Sequence, residues 1–235
     1  MKAIVVCVFA ALLASSVPAL AADPSTEDEK VLYAIGLAVS QNLSWFVLSE
    51  AELKMVQQGL ADGALGKSKK VDLQMYAPKI QDLQKTRMAA LAIAEKKTGA
   101  AYAARAAGES GAKKTASGLV ITTLKPGTGA SPAATDKVKV HYQGMLTDGA
   151  VFDSSVQRGE PVAFALNQVI PCWTEGVQQM KVGGKSRLVC PPEIAYGERG
   201  MPPRIKPGAT LVFEVELLDV VKDSGAAPPA TAPKK

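Results

Sequence analysis

A single histidine and three cysteines set the range of chemistry open to this 235-residue chain. An imidazole-rich metal site needs more than His141, and a four-cysteine zinc site needs more than Cys7, Cys172 and Cys190. No metal or cofactor is expected. A nucleophile relay would have to run from Ser154 or Ser155 through His141 to an aspartate. The spacing does not support one. His141 precedes Tyr142 in an alternating segment, so the two side chains point to opposite faces, and Asp153-Ser154-Ser155 taken alone reads as a turn. The net charge of +5 with a pI near 9.0 is mild for this length and does not call for nucleic acid. The short basic runs Lys67-Ser68-Lys69-Lys70 and Lys113-Lys114 read as solvated linkers. What remains are twelve aromatic residues, 5% of the chain. Six of them, Tyr142, Phe152, Phe164, Trp173, Tyr196 and Phe213, are spread over its second half.

The elements that must position these residues begin after an address. Lys2 is followed by an uncharged, largely apolar run over residues 3–13, then by a segment ending Ala19-Leu20-Ala21. This tripartite layout predicts a secretory signal peptide, residues 1–21, cleaved after Ala21. The competing reading is a membrane anchor. The apolar run is shorter than the roughly 20 residues a spanning helix needs, and Pro18 breaks it. The mature chain is expected to be exported, in a bacterial periplasm, with no membrane span. Cleavage removes Lys2 and Cys7, lowering the charge from +5 to +4 and leaving Cys172 and Cys190. In an oxidising compartment two cysteines permit a disulfide. The alternative is two buried thiols acting as small hydrophobes.

Residues 22–111 read as helical. Thr26 stands before Glu27, Asp28 and Glu29, acids suited to a helix N-terminus. Val31, Leu32, Ile35, Val39 and Leu43 then recur at helical spacing. Ser49-Glu50-Ala51-Glu52 has the form of a capping box and opens a second helix, with Gly63 and Gly66 at its end. Asp72 caps a third, in which Pro78 predicts a fresh start or kink. From there Ile80, Leu83, Arg87, Leu91, Ala94 and Lys97 share a face, and Ala dominates as far as Gly108. Tyr33, Trp45 and Phe46 make the short helices apolar on the outside, which points to dimerisation through this region. Packing against the second half of the same chain is the other solution.

Near Ser117 the period changes from helical to alternating. Residues 118–124, 138–142, 185–190 and 210–221 read as strands, Phe164 lies in a further short one, and Thr147-Asp148-Gly149 is a turn. Residues 176–180 read as one short helix closed by Gly183-Gly184. Many strands around one helix predict an α+β domain with a mainly antiparallel sheet over residues 112–223. The Ala/Pro-rich tail, residues 224–235, is expected to be disordered.

Five ordered blocks of this half carry a resemblance. They are Val140-His141-Tyr142-Gln143-Gly144-Met145-Leu146; Gly149-x-x-Phe152-Asp153-Ser154-Ser155; Val169-Ile170-Pro171-Cys172-Trp173-Thr174-Glu175-Gly176; Pro192-Glu193-Ile194-Ala195-Tyr196-Gly197; and Thr210-Leu211-Val212-Phe213-Glu214-Val215-Glu216-Leu217. Across about a hundred residues they resemble FKBP-type peptidyl-prolyl cis-trans isomerases. The helical region ahead, through Tyr33-Ala34-Ile35-Gly36 and its layout, is similar to the Mip/FkpA branch of periplasmic FKBPs. The resemblance implies an FKBP-like antiparallel sheet wrapped around a short helix, carried on a helical dimerisation region with a long connecting helix. It further implies a V-shaped homodimer and isomerisation of X-Pro bonds during folding of exported proteins.

By that resemblance, Tyr142, Asp153 and Tyr196 are the catalytic residues. Phe152, Phe164, Val169, Ile170, Trp173, Ile205 and Phe213 line the substrate cup, with Trp173 as its floor. Arg158 supports Asp153, and Tyr196 and the Ile170 N–H hold substrate carbonyls. The implied partners are unfolded or partly folded polypeptides containing proline, and macrolide inhibitors. Val162, where many FKBPs carry an aromatic, makes one wall smaller, and Met201-Pro202-Pro203-Arg204 varies the loop over the cup. Cys172 stands where Gly is common before the Trp, and a Cys172–Cys190 bridge is expected to tie helix to sheet beneath it. A dimeric holdase with isomerisation secondary is the alternative function.

Overall fold

The computed structural model describes residues 23–221. The expected signal segment and the tail beyond residue 223 lie outside them. The chain divides into two units, one up to Gln41 and one from Asn42 onward.

Helix α1 (Glu27–Leu43) accounts for most of the described part of the first unit. Thr26 Oγ1 accepts from the Glu29 N–H at 3.2 Å, while the Glu29 carboxylate accepts from the Thr26 and Ser25 N–H groups at 3.0 and 2.8 Å. Three backbone N–H donors at the helix start are thereby satisfied. The helical spacing read from the sequence holds throughout, yet no residue of α1 is buried.

In the second unit, α2 (Glu50–Ala64) opens on the capping box formed by Ser49 and Glu52. Asp72 accepts from the Gln74 N–H at 2.8 Å and starts α3 (Leu73–Ala107). Pro78 does not restart or end this helix, so of the fresh start or kink expected from the sequence the fresh start does not occur. It is the sixth residue of a single 35-residue element. So near the N-terminus a missing N–H leaves one unpaired carbonyl, that of Gln74, while a run of strong helix formers after it carries propagation. The helix is about 50 Å long.

From Ala112 the chain forms one antiparallel sheet. Its strands are β1 (Ala112–Lys114), β2 (Val120–Lys125), β3 (Lys137–Leu146), β4 (Val151–Ser154), β5 (Val162–Ala165), β6 (Lys185–Cys190) and β7 (Leu211–Val221). The order is β1-β2-β6-β7-β3-β4, with β5 pairing the first half of β3. Strand β3 runs along β7 for its whole length, Lys137 opposite Val221 and Leu146 opposite Leu211, with a bulge after Lys139. Two short helices interrupt the strands: α4 (Ser155–Arg158) and α5 (Pro171–Gln178). Helix α5 begins five residues before the expected Gly176. Pro171 occupies the first turn, where its absent N–H costs nothing, and Gly176 lies inside the helix.

Alternation along the strands feeds two cores. Leu119, Ile121, Val140, Leu188, Phe213 and Val215 face α5, whose Cys172, Trp173 and Val177 are buried among them. The opposite side presents Val120, Val189 and Val212 to Tyr102, Ala103 and Ala106 near the end of α3. A helix whose contact residues are alanines can lie close against strands of β-branched residues. The sheet is therefore covered by α5 on one face and by α3 on the other.

Candidate active site

A cleft of about 450 Å³ opens on the α5 side, lined by Tyr142, Phe152, Asp153, Phe164, Gln168, Val169, Ile170, Trp173, Tyr196 and Phe213. All six aromatics of the second half converge there. They come from separate elements: Tyr142 from β3, Phe152 and Asp153 from β4, Phe164 from β5, Trp173 from α5, Phe213 from β7 and Tyr196 from the loop ahead of β7.

Trp173 is the hub. Its ring meets Tyr142, Phe164 and Phe213 edge-to-face, with centroids 5.2, 5.6 and 5.4 Å apart. Phe152 meets Phe213 in the same way at 5.7 Å. Perpendicular rings set the positive edge of one against the negative face of the next, so the cup is rigid as well as apolar. Gly144 makes room for it. A Cβ there would lie 2.7 Å from Phe152 Cζ and 3.0 Å from Phe213 Cε1. Beneath the hub, Cys172 and Cys190 are joined as a disulfide, Cα–Cα 5.8 Å, linking α5 to the end of β6.

One edge of the cup is polar. The Tyr142 hydroxyl donates to Asp153 Oδ2, Arg158 Nη1 donates to Asp153 Oδ1 at 2.5 Å, and Arg158 Nη2 donates to the Tyr142 oxygen at 3.1 Å. Burial pushes the Asp153 carboxyl up. The hydrogen bonds from Tyr142 and Arg158 outweigh it and hold the group below its ordinary value. The Tyr142 phenol is raised by burial and then by its bond to Asp153. Tyr196 is raised by burial and by the Asp153 charge. Among the described residues the Tyr196 hydroxyl and the Ile170 N–H have no protein acceptor. The Trp173 Nε1 is likewise buried without a partner.

Not every expected residue reaches the cleft. Ile205 is 1% exposed and packs in the core behind it. Gln168, in the turn before α5, lines the cleft without having been anticipated, since a lone Gln in a loop carries no sequence signal. Ser155 Oγ lies 3.2 Å from His141 Nδ1, but the serine is fully buried and accepts the Tyr142 N–H at 2.8 Å. That pair holds α4 to β3 and offers no nucleophile to a substrate. The described residues contain no cluster arranged to hold a metal ion.

Comparison with known proteins decides the family. Residues 129–218 match the FKBP-type peptidyl-prolyl cis-trans isomerase domain, and residues 28–121 match the domain amino-terminal to it. The chain is 45% identical to FkpA of Aeromonas hydrophila, over 86% of this chain and 79% of that protein. It is 42% identical to the 22 kDa FKBP-type isomerase of Escherichia coli, over 83% and 97%. The chain belongs to the FKBP-type peptidyl-prolyl cis-trans isomerases. Its fold is that of the FkpA crystal structure from Escherichia coli, TM-score 0.64 at 38% identity, covering 84% of this chain and 98% of that one. As an FKBP-type isomerase it accelerates rotation about X-Pro amides, a reaction that breaks no bond. That is the chemistry a chain with one histidine and an aromatic cup can perform.

Proposed function

We propose that the cleft around Trp173 takes up the proline ring and that its polar edge steadies the substrate while the amide twists. Rotation must cross a barrier of about 18–20 kcal/mol because amide resonance is lost on the way. Catalysis then consists of binding the twisted amide better than the planar one. The twisted form has less charge separation, so a dry aromatic cup favours it over water. Tyr196 and the Ile170 N–H are the donors for substrate carbonyls, because both are at the cleft and neither is engaged by the protein. Tyr142 is already committed to Asp153 and Arg158. Its part is to hold the wall and the carboxylate in place.

The observation that carries this reading is the convergence of all six aromatics on one cleft beside two unengaged donors. Tyr196→Phe is expected to lower kcat/KM on a proline tetrapeptide about tenfold, the worth of one hydrogen bond, with the fold unchanged by circular dichroism. Asp153→Ala should lower it as well by freeing Tyr142. Unchanged rates in both variants would remove the assignment.

Two further readings rest on other features. The layout of residues 1–21 and the paired cysteines in an oxidised site support an exported, periplasmic protein that assists folding of exported chains. The exposed apolar residues of α1 and α2, among them Val31, Leu32, Ile35 and Leu60, support a homodimer through the helical region. The same surface favours a holdase activity toward unfolded chains. Suppression of aggregation by full-length protein, compared in wild type and Tyr196→Phe, separates that activity from isomerisation.

A further inference from the structure

The loop over residues 196–209 leaves the site at Tyr196 and returns to the sheet at Thr210. Internally it is closed by the Gly208 N–H donating to Gly197 O at 3.0 Å and by Met201 and Ile205 exchanging N–H bonds at 2.8 and 3.0 Å. Externally its two feet rest on one stripe of α3. Lys96 Nζ donates to Glu198 at 2.8 Å on the outgoing side. Lys206 Nζ donates to Glu95 at 2.8 Å on the returning side. Between them the backbone of Gly208 lies so close to Ala92 that a Cβ would meet the Ala92 oxygen at 2.6 Å. Two turns on, a Cβ at Gly99 would meet Thr210 Oγ1, closer than any real contact.

Ala92, Glu95, Lys96 and Gly99 stand at i, i+3, i+4 and i+7, which is a single helix face. Small residues at its two ends permit backbone contact, and two charges of opposite sign between them meet two loop charges in the complementary order. Glu95 is one-fifth exposed, so its pair with Lys206 is partly desolvated on that side. Tyr196 lies only two residues from Glu198, on the outgoing side, whereas the returning side is also held by burial of Ile205 and Ala209 in the core.

We infer that this stripe of α3 positions the loop bearing Tyr196, so that Glu95 and Lys96 are positioning residues for isomerisation although neither reaches the cleft. The inference rests on the reading of Tyr196 as a substrate donor. It gives the long helix a task at the site besides spacing: a change in the seating of α3 alters the pose of Tyr196.

The test uses full-length protein and a charge exchange. Glu95→Lys sets like charges against Lys206, Lys206→Glu does the same against Glu95, and the double variant restores an opposite pair. Hydrogen exchange at the Gly200 and Gly208 amides reads the loop, and kcat/KM on prolyl tetrapeptides reads the site. Each single variant is expected to speed exchange at those amides and lower kcat/KM about three- to fivefold, the scale of a partly exposed ion pair. The double variant should recover both. Gly99→Leu, which wedges α3 away from Thr210, should produce the same loop exchange with all charges intact. Unchanged exchange in the single variants, faster exchange with an unchanged rate, or no recovery in the double variant overturns the inference. Tyr196→Phe is measured alongside: a full rate there removes the assignment of Tyr196, whatever the loop does.

Discussion

At the edge of the cleft, Asp153 is held as a carboxylate by two donors. Both of its oxygens are occupied, Oδ1 by Arg158 and Oδ2 by Tyr142. Its folded-state pKa lies below the ordinary value, so its contribution to the fold is complete above that value and lost only as pH falls through the depressed one. The two phenols of the site are shifted the other way, upward. No group at the cleft therefore changes charge across the neutral range. The expected outcome is a kcat/KM that stays flat from about pH 5 to 9, measured on a tetrapeptide with a coupling assay whose own pH dependence is subtracted. A bell-shaped profile in that window would show proton transfer at the site. Gly144 is the steric counterpart at this scale. Gly144→Ala sets a methyl into Phe152 and Phe213, both walls of the cup. Overpacking of this kind costs about 1–3 kcal/mol, to be read as a lower urea midpoint together with a reduced rate, because the rings that must shift line the cleft proposed to take up proline.

At the scale of elements, the short helix α5 carries the floor of the site and is fastened twice. Trp173 and Val177 hold it by burial, and the Cys172–Cys190 bridge holds it to β6. The bridged residues are 18 apart, and closing a loop of that length stabilises a fold by about 3 kcal/mol in the chain-entropy account. Replacing both cysteines by alanine is expected to lower the thermal midpoint by several degrees for a domain of this size. Wild type under reducing conditions should shift toward the same value. If the two midpoints coincide with that of the oxidised protein, the bridge contributes nothing. Much of this layout is legible in the residues. The strands at 138–142, 185–190 and 210–221 show as alternation, the capping box of α2 as Ser49 spaced from Glu52, and the cup through its aromatic motifs. The rest is not, for physical reasons. Strand β4 is four residues long and half-buried, too short for a period to show. Helix α5 starts at a proline, which read locally marks an interruption. Pro78 shows the reverse error, since a breaker near the start of a long helix costs one bond and the remaining turns carry it. Ile205 enters the cup by resemblance only, with no local pattern of its own, and the structure buries it in the core. Contacts such as Glu95 with Lys206, 111 residues apart, have no local signature at all.

At the scale of the molecule, α1 poses the remaining question of stability. It is a 17-residue helix with no buried residue, and Val31, Leu32, Tyr33, Ile35 and Leu37 are each more than half exposed. A helix of this length is marginal in water and owes its stability to packing of its apolar face. Its capping box supplies about 1 kcal/mol, which does not offset exposure of five large side chains. Cover from a second copy is the arrangement that the homodimer reading requires. Sedimentation at micromolar concentration is then expected to give twice the mass of one mature chain. Leu32→Glu combined with Ile35→Glu should yield the single-chain mass and a loss of helix signal from this region. The tetrapeptide rate should be unchanged in that variant, because the cleft is built entirely from residues after Ala112. Proline-limited refolding of a whole protein should slow, since a large client gains from two linked sites through effective concentration. A variant that remains dimeric would exclude α1 as the interface. A monomer that refolds clients as fast as wild type would leave dimerisation with no part in the isomerase function.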